Sequence, residues 1–121
     1  MHSKVRYLRN SAFNRQGGRC CYCSLPMWLR SPHELEFAAP SNRAAELLRC
    51  TAEHLQAKSR GGKDVAKNIA AACWRCNFAR HRRPNPPDPD AYRQLVQRRM
   101  AAGHWHDRWV HVCIGTCLGR D

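Results

Sequence analysis

Two pairs of cysteines constrain the fold of this chain more than anything else in it. Cys20 and Cys23 form one C-x-x-C, and Cys73 and Cys76 form a second, fifty residues beyond Cys23. A two-residue gap lets one tight turn aim both sulfurs at a single point, so two such pairs supply the four thiolates of a tetrahedral zinc site. The alternatives are four ordinary reduced cysteines or a thioredoxin-like redox pair. A redox pair needs only one C-x-x-C and a βαβ setting, and neither that setting nor a use for the second pair is visible. Of the eight cysteines, Cys21 and Cys50 read as small buried hydrophobes. Cys113 and Cys117 read as unpaired thiols, with a second metal site as the alternative. The start of the chain carries Arg and Asn in place of an apolar signal core. The expected compartment is therefore the reducing cytoplasm, as a nucleoid-associated or phage-encoded protein, which disfavours structural disulfides.

Charge narrows the partners. Lys and Arg number 21 against 9 Asp and Glu, a formal net charge of +12 over 121 residues, with a pI near 10.0. Such an excess on one small domain points to polyanions, nucleic acid first. With 43% hydrophobic residues the chain can bury one modest core, which a metal would help to hold. No apolar run approaches the ~20 residues of a membrane span, so no membrane association is expected.

Periodicity places the elements. Val5, Leu8 and Ala12 share a helical face between about residues 4 and 15, and Gln16-Gly17-Gly18-Arg19 ends that helix. Ser41 caps a short helix expected to run through Cys50. Thr51 to Leu55 and about Asn68 to Ala72 read as strands joined by a Gly-Gly loop, and a helix follows from the second cysteine pair to about Arg82. Arg83-Pro84-Asn85-Pro86-Pro87 is a stiff linker. Asp88 and Pro89 open a helix with Tyr92, Leu95, Val96 and Met100 on one face, stopped by Gly103. The expected division is a domain over 1–83, with its core at about 51–83, followed over 84–121 by linker, helix and aromatic tail.

The hairpin and helix carry a notable set of polar residues. Glu53 and His54 are adjacent on a strand, so their side chains leave opposite faces. Asn68 follows on the returning strand and Asn77 directly after Cys76. These supply a base, an amide to orient it and two oxygen ligands for a hard cation, the parts of a hydrolytic site.

The joint pattern resembles the HNH endonuclease family: Glu53-His54-Leu55, Ser59-Arg60-Gly61-Gly62, Asp64, Asn68-Ile69 and Cys73-Trp74-Arg75-Cys76-Asn77, with Cys20 and Cys23 upstream. The resemblance implies an α+β chain with a small ββα-metal (His-Me finger) core and a structural zinc, flanked by helices at both ends. It implies hydrolysis of phosphodiester bonds in DNA, with RNA as the other candidate, using one Mg2+ or Mn2+. On it, His54 is the general base, Asn68 fixes the imidazole, and Glu53 and Asn77 hold the cation. Many relatives carry Asp or His at the first of these positions and His at the last; a Glu and Asn oxygen pair suits magnesium or manganese better than zinc. His81 is a further candidate ligand, as in colicin-type nucleases, and Arg80 is expected at the scissile phosphate or leaving group.

Lys58, Arg60 and Lys63 on the Gly loop, with Arg75, Arg82 and Arg83 along the helix and its exit, are the expected phosphate contacts. Two other function classes stay open. A non-catalytic zinc-dependent DNA-binding module would keep the cysteines and the charge but would not need Glu53, His54, Asn68 and Asn77 together. An accessory protein of a phage or mobile element would use the last helix and the tail, with Trp105 and Trp109 among His104, His106 and His111, to meet a protein partner or a second copy. The bland reading of that tail is packing of two indoles onto the domain.

Overall fold

The computed structural model describes residues 2–117, the side chains of 116 and 117 excepted, so the expectation for Cys117 lies outside the described residues. Helix α1, Ser3–Arg15, buries Val5 and Ala12 and packs against both strands of a hairpin. Gly17 and Gly18 then take φ of 66° and 77°, left-handed conformations that turn the chain into the first cysteine pair. Before that turn, Gln16 acts on the sheet. Its amide donates to Ala71 O at 2.9 Å and accepts from Ala71 N at 2.9 Å, pairing the outer edge as a strand would.

Ser41 caps α2, Asn42–Glu46, its hydroxyl accepting from Ala44 N at 3.1 Å. The helix stops four residues short of the expected Cys50. That residue's N–H donates to Trp28 O at 2.9 Å and opens β1, Cys50–His54. β2, Ile69–Cys73, pairs antiparallel with β1, from Cys50 opposite Cys73 to His54 opposite Ile69. Every residue of β2 is buried, and its Ile-Ala-Ala-Ala-Cys sequence leaves room for both α1 and the following helix to approach closely.

The hairpin loop includes the left-handed Gly61 and then Gly62, where an added Cβ would lie 1.8 Å from Gln56 O. Only glycine fits there. Helix α3, Trp74–His81, starts directly from β2, with the Cys73 sulfur accepting from Cys76 N at 3.4 Å as an N-cap. Helix α4, Pro89–Ala101, opens on Asp88 and Pro89 as its sequence indicates. Helix α5, Arg108–Cys117, lies where the sequence reading had only an aromatic tail. Tyr92, Val96, Trp105 and Val110 join the cluster that holds Cys20, Tyr22, Cys73 and Cys76. Trp109 packs edge-on to Phe37 at 5.8 Å. The architecture is α+β, a ββα core with helices on both sides of it in sequence. Among the described residues no helix is long and apolar enough to cross a membrane.

Candidate active site and zinc knuckle

The sulfurs of Cys20, Cys23, Cys73 and Cys76, all buried, lie within 4.8 Å of one another. Tetrahedral zinc with Zn–S bonds of ~2.3 Å would set neighbouring sulfurs ~3.8 Å apart, and Cys23 and Cys73 are already at 3.9 Å. Burial opposes ionisation of Cys20, yet hydrogen bonds from Cys21, Cys23, Cys73 and Cys76 hold it well below the ordinary thiol range. Burial, followed by hydrogen bonds to Cys20 and Cys23, pushes Cys73 and Cys76 well above that range. A buried thiolate crowded by protonated thiols is relieved when a dication replaces the protons, so the donor set fits zinc.

Three sulfurs also accept N–H donors, Cys73 that of Cys76 at 3.4 Å. Cys20 takes Cys73 N at 3.3 Å and Tyr22 N at 3.4 Å, and Cys76 takes the Trp105 indole at 3.2 Å. His106 Nε2 lies 3.4 Å from Cys23 Sγ. The C-terminal segment thus closes over the knuckle. Arg75, expected at phosphate, instead lies 4.4 Å from the Trp105 ring centre and donates twice to Trp105 O. No sequence signal connects these residues to the cysteines, because the folding of α4 brings them there.

Below the knuckle sits the polar set of the hairpin. Glu53 is completely buried, and each carboxylate oxygen is partnered. Oε2 accepts from Tyr22 Oη at 2.6 Å and from Arg80 Nη1 at 2.9 Å, while Oε1 lies 2.7 Å from His81 Nε2. Burial, and then the nearby Glu53 charge, pushes the Tyr22 phenol up, so it remains a donor. Tyr22 was not singled out from sequence. It reaches Glu53, 31 residues away, because the zinc knuckle carries it there.

Asn77 donates through Nδ2 to Thr51 Oγ1 and Ala52 O, both at 3.0 Å. Both amide protons are engaged, which leaves the oxygen as the side chain's acceptor. Glu53, His54, Asn77 and His81 line one open cavity of about 490 Å³, with Lys58 and Arg83 on its walls. Octahedral Mg2+, with bonds of ~2.0–2.1 Å, separates adjacent ligands by ~3 Å. The 2.7 Å between Glu53 Oε1 and His81 Nε2 is close to that spacing, and the oxygen and nitrogen donors fit a hard or borderline dication.

His54 meets a partner other than the expected one. Its Nε2 lies 2.8 Å from Asp64 Oδ1, and Lys58 sits 3.3 Å from Oδ2 of the same carboxylate. The hydrogen bond to His54 is the chief reason the Asp64 carboxyl lies below its usual range. An ionised carboxylate only accepts, so Nε2 of a neutral ring carries the hydrogen and the lone pair is on Nδ1. Asp64 belongs to the pattern read from sequence but had no role there; its place after the two glycines was the available signal.

Asn68 does not bond to the imidazole as expected. Its amide accepts from Gln56 N at 2.8 Å and donates to Gln56 O at 3.2 Å and Lys63 O at 3.0 Å. It pins the two ends of the Gly loop together, and that loop delivers Asp64. Arg80 likewise departs from expectation. It is 3% exposed, and beyond Glu53 it donates to His54 O at 3.1 Å, Leu55 O at 2.9 Å and Pro87 O at 3.0 Å. Four of its five N–H groups are so engaged, and buried as it is the guanidinium serves the protein interior in place of a phosphate. Lys63, Arg82 and Arg83 are exposed, and Arg60 is exposed and bound to Asn85.

A family model described as HNH endonuclease matches residues 20–83, more than half of the chain, from Cys20 to just beyond α3. No curated protein and no solved structure matches the chain.

Proposed function

We propose that this chain, which belongs to the HNH endonuclease family, is a divalent-cation-dependent nuclease that hydrolyses phosphodiester bonds of DNA. The observation that carries the reading is the shared cavity: a base with its tautomer set, His54 on Asp64, opens onto the same space as Glu53, Asn77 and His81. A binding module has no use for that combination.

In this mechanism Asp64 holds the imidazole with Nδ1 as acceptor, and Nδ1 takes the proton from the water that attacks phosphorus. Glu53 Oε1, Asn77 Oδ1 and His81 Nε2 would hold the cation, which when bound supplies Lewis acidity at the phosphate and the departing oxygen. His81, 28% exposed at its side chain, stands 2.7 Å from Oε1 of the buried Glu53, so a cation held by both would replace this contact. Tyr22 and Arg80 fix the other carboxylate oxygen and keep Oε1 aimed at the site. Lys58 and Arg83 on the cavity wall, Arg82 in the adjoining groove and the exposed Lys63 of the Gly loop would meet backbone phosphates, which position DNA without reading its sequence. The four-cysteine site is structural and holds Tyr22 and the start of α3 in place.

Supercoiled plasmid incubated with Mg2+ should be nicked by the parent, whereas EDTA should stop nicking before zinc is lost from the thiolates. His54→Ala should cut ~100- to 10,000-fold more slowly, the usual range for loss of a general base, with zinc content and DNA affinity retained. Retardation of plasmid without nicking, or parental rates for His54→Ala, would replace the nuclease with a DNA-binding module.

A further inference from the structure

One surface of α3 has no role in the reaction above. Trp74 and Phe78 lie one turn apart, stacked face to face with ring centres 4.5 Å apart and planes 10° from parallel. Phe78 is 47% exposed, although a large aromatic ring normally seeks cover. The helix buries Cys76, Ala79 and Arg80 on its other side, so the aromatic pair holds up none of that core. The pair lines a groove of about 520 Å³ with Arg49 and Arg82 on its walls, and the groove shares His54, Asn77 and His81 with the catalytic cavity. Arg82 hangs over Phe78 with its guanidinium carbon 5.7 Å from the ring centre.

We propose that the Trp74–Phe78 pair is a stacking platform for an unpaired DNA base next to the scissile phosphate, so that the preferred substrate is single-stranded or bulged DNA. The proposal deepens the nuclease reading and rests on it. Three observations converge on this occupant. A π-face is accessible only on a base that has left the duplex stack, and exposed aromatic faces bind such bases irrespective of sequence. Arg82 supplies the positive charge that a nucleotide's phosphate requires and that an apolar peptide would not, while Arg49 on the groove wall is paired with Glu46 at 2.6 Å. Finally, the groove and the catalytic cavity are continuous through His54 and Asn77, so a nucleotide seated in one adjoins the bond placed in the other. A base between Phe78 and Arg82 at contact spacings of ~3.5 Å on each side needs the guanidinium to withdraw by about 1.3 Å from its present 5.7 Å. Arg82 is exposed at the end of α3 and free to make so small a movement.

The test compares the full chain with Phe78→Ala, Phe78→Leu and Phe78→Tyr on three labelled DNAs with Mg2+: a single strand, a perfect duplex and a duplex with one bulged nucleotide. Phe78→Ala should lose ~5- to 150-fold in kcat/KM on the single strand and the bulge, the range that one base–aromatic stack provides. It should lose less than twofold on the perfect duplex. Phe78→Tyr should retain the preference and Phe78→Leu should not, because leucine keeps apolar bulk without a π-face. Zinc content monitors folding, and the exposure of Phe78 makes all three variants foldable. Equal losses on all three DNAs, no loss, or full rescue by leucine would overturn the platform, the last in favour of an apolar wedge. A parent that cleaves none of the DNAs would refute the nuclease reading instead. Fluorescence anisotropy of the single strand with His54→Ala, with and without Phe78→Ala, then decides the platform separately, since it reads affinity without cleavage.

Discussion

Arg80→Ala separates a stability role from a phosphate-binding role for the arginine that bonds to Glu53. In the fold this guanidinium is 3% exposed and lies 2.9 Å from a completely buried carboxylate. It also donates to the carbonyls of His54, Leu55 and Pro87, joining β1 to the segment before α4. Removing one partner of a buried pair leaves an uncompensated charge, at a cost of ~3–5 kcal/mol. That is a large share of the ~5–15 kcal/mol that holds a typical domain together. For a chain of this length, ~4 °C per kcal/mol translates the loss into a Tm lower by ~12–20 °C. Circular-dichroism melts at fixed zinc would measure it. Repeating the substitution in a Glu53→Gln background should cost less, because no buried carboxylate is then stranded; the difference is the coupling between the two side chains. Arg82→Ala is the control: exposed, it should leave Tm unchanged and reduce the salt slope of DNA binding by ~1. Should Arg80→Ala melt within ~3 °C of the parent while its own salt slope falls by ~1, the buried pair would be refuted and Arg80 returned to the phosphate.

Three further perturbations address other parts of the site. Cys73→Ser removes one of four zinc ligands, and because structural zinc contributes on the order of 10 kcal/mol in small modules, the variant should be unfolded and zinc-free; a folded, metal-free protein would contradict the knuckle. Trp105→Phe deletes the indole N–H that reaches Cys76 Sγ, and loss of such outer partners typically costs ~10- to 100-fold in metal affinity, so zinc transfer to a chromogenic chelator should accelerate with the fold intact. The Asp64 carboxyl lies below its usual range chiefly through the His54 hydrogen bond, so its stabilisation of the loop is present above the ordinary carboxyl range and lost as pH falls through the depressed value. Amide-exchange protection of the Gly loop, referenced to intrinsic rates, should therefore hold steady from about pH 8 to 5 and fall below ~4, and Asp64→Asn should abolish that acid step and slow plasmid nicking about tenfold.

Much of the architecture is legible in local chemistry. Two C-x-x-C pairs, a hairpin of small and β-branched residues, a Gly-Gly loop and an Asp-Pro helix start each act within a few residues, where spacing and steric rules operate directly. Glu53, His54 and Asn77 could thus be placed together from order alone, on a strand and a helix bracketed by the same four cysteines. The end of α2 and the presence of α5 were less legible, because each depends on a distant partner: Trp28 O for the first, and the cluster of Tyr92, Trp105 and Val110 for the second.

The sequence by itself determined which residues could do chemistry here, four soft ligands and a set of bases and oxygen donors, because side-chain type fixes pKa class and ligand preference. Only the tertiary structure decided which of them meet. It gave His54 to Asp64 and set Asn68 to pinning the loop, and it placed Arg80 against Glu53 with Tyr22 and His81 as the carboxylate's other partners. These pairings span 5 to 31 residues. Their cause is that a charge or hydrogen-bonding group taken out of water must find its partner in whatever segment the fold brings alongside it.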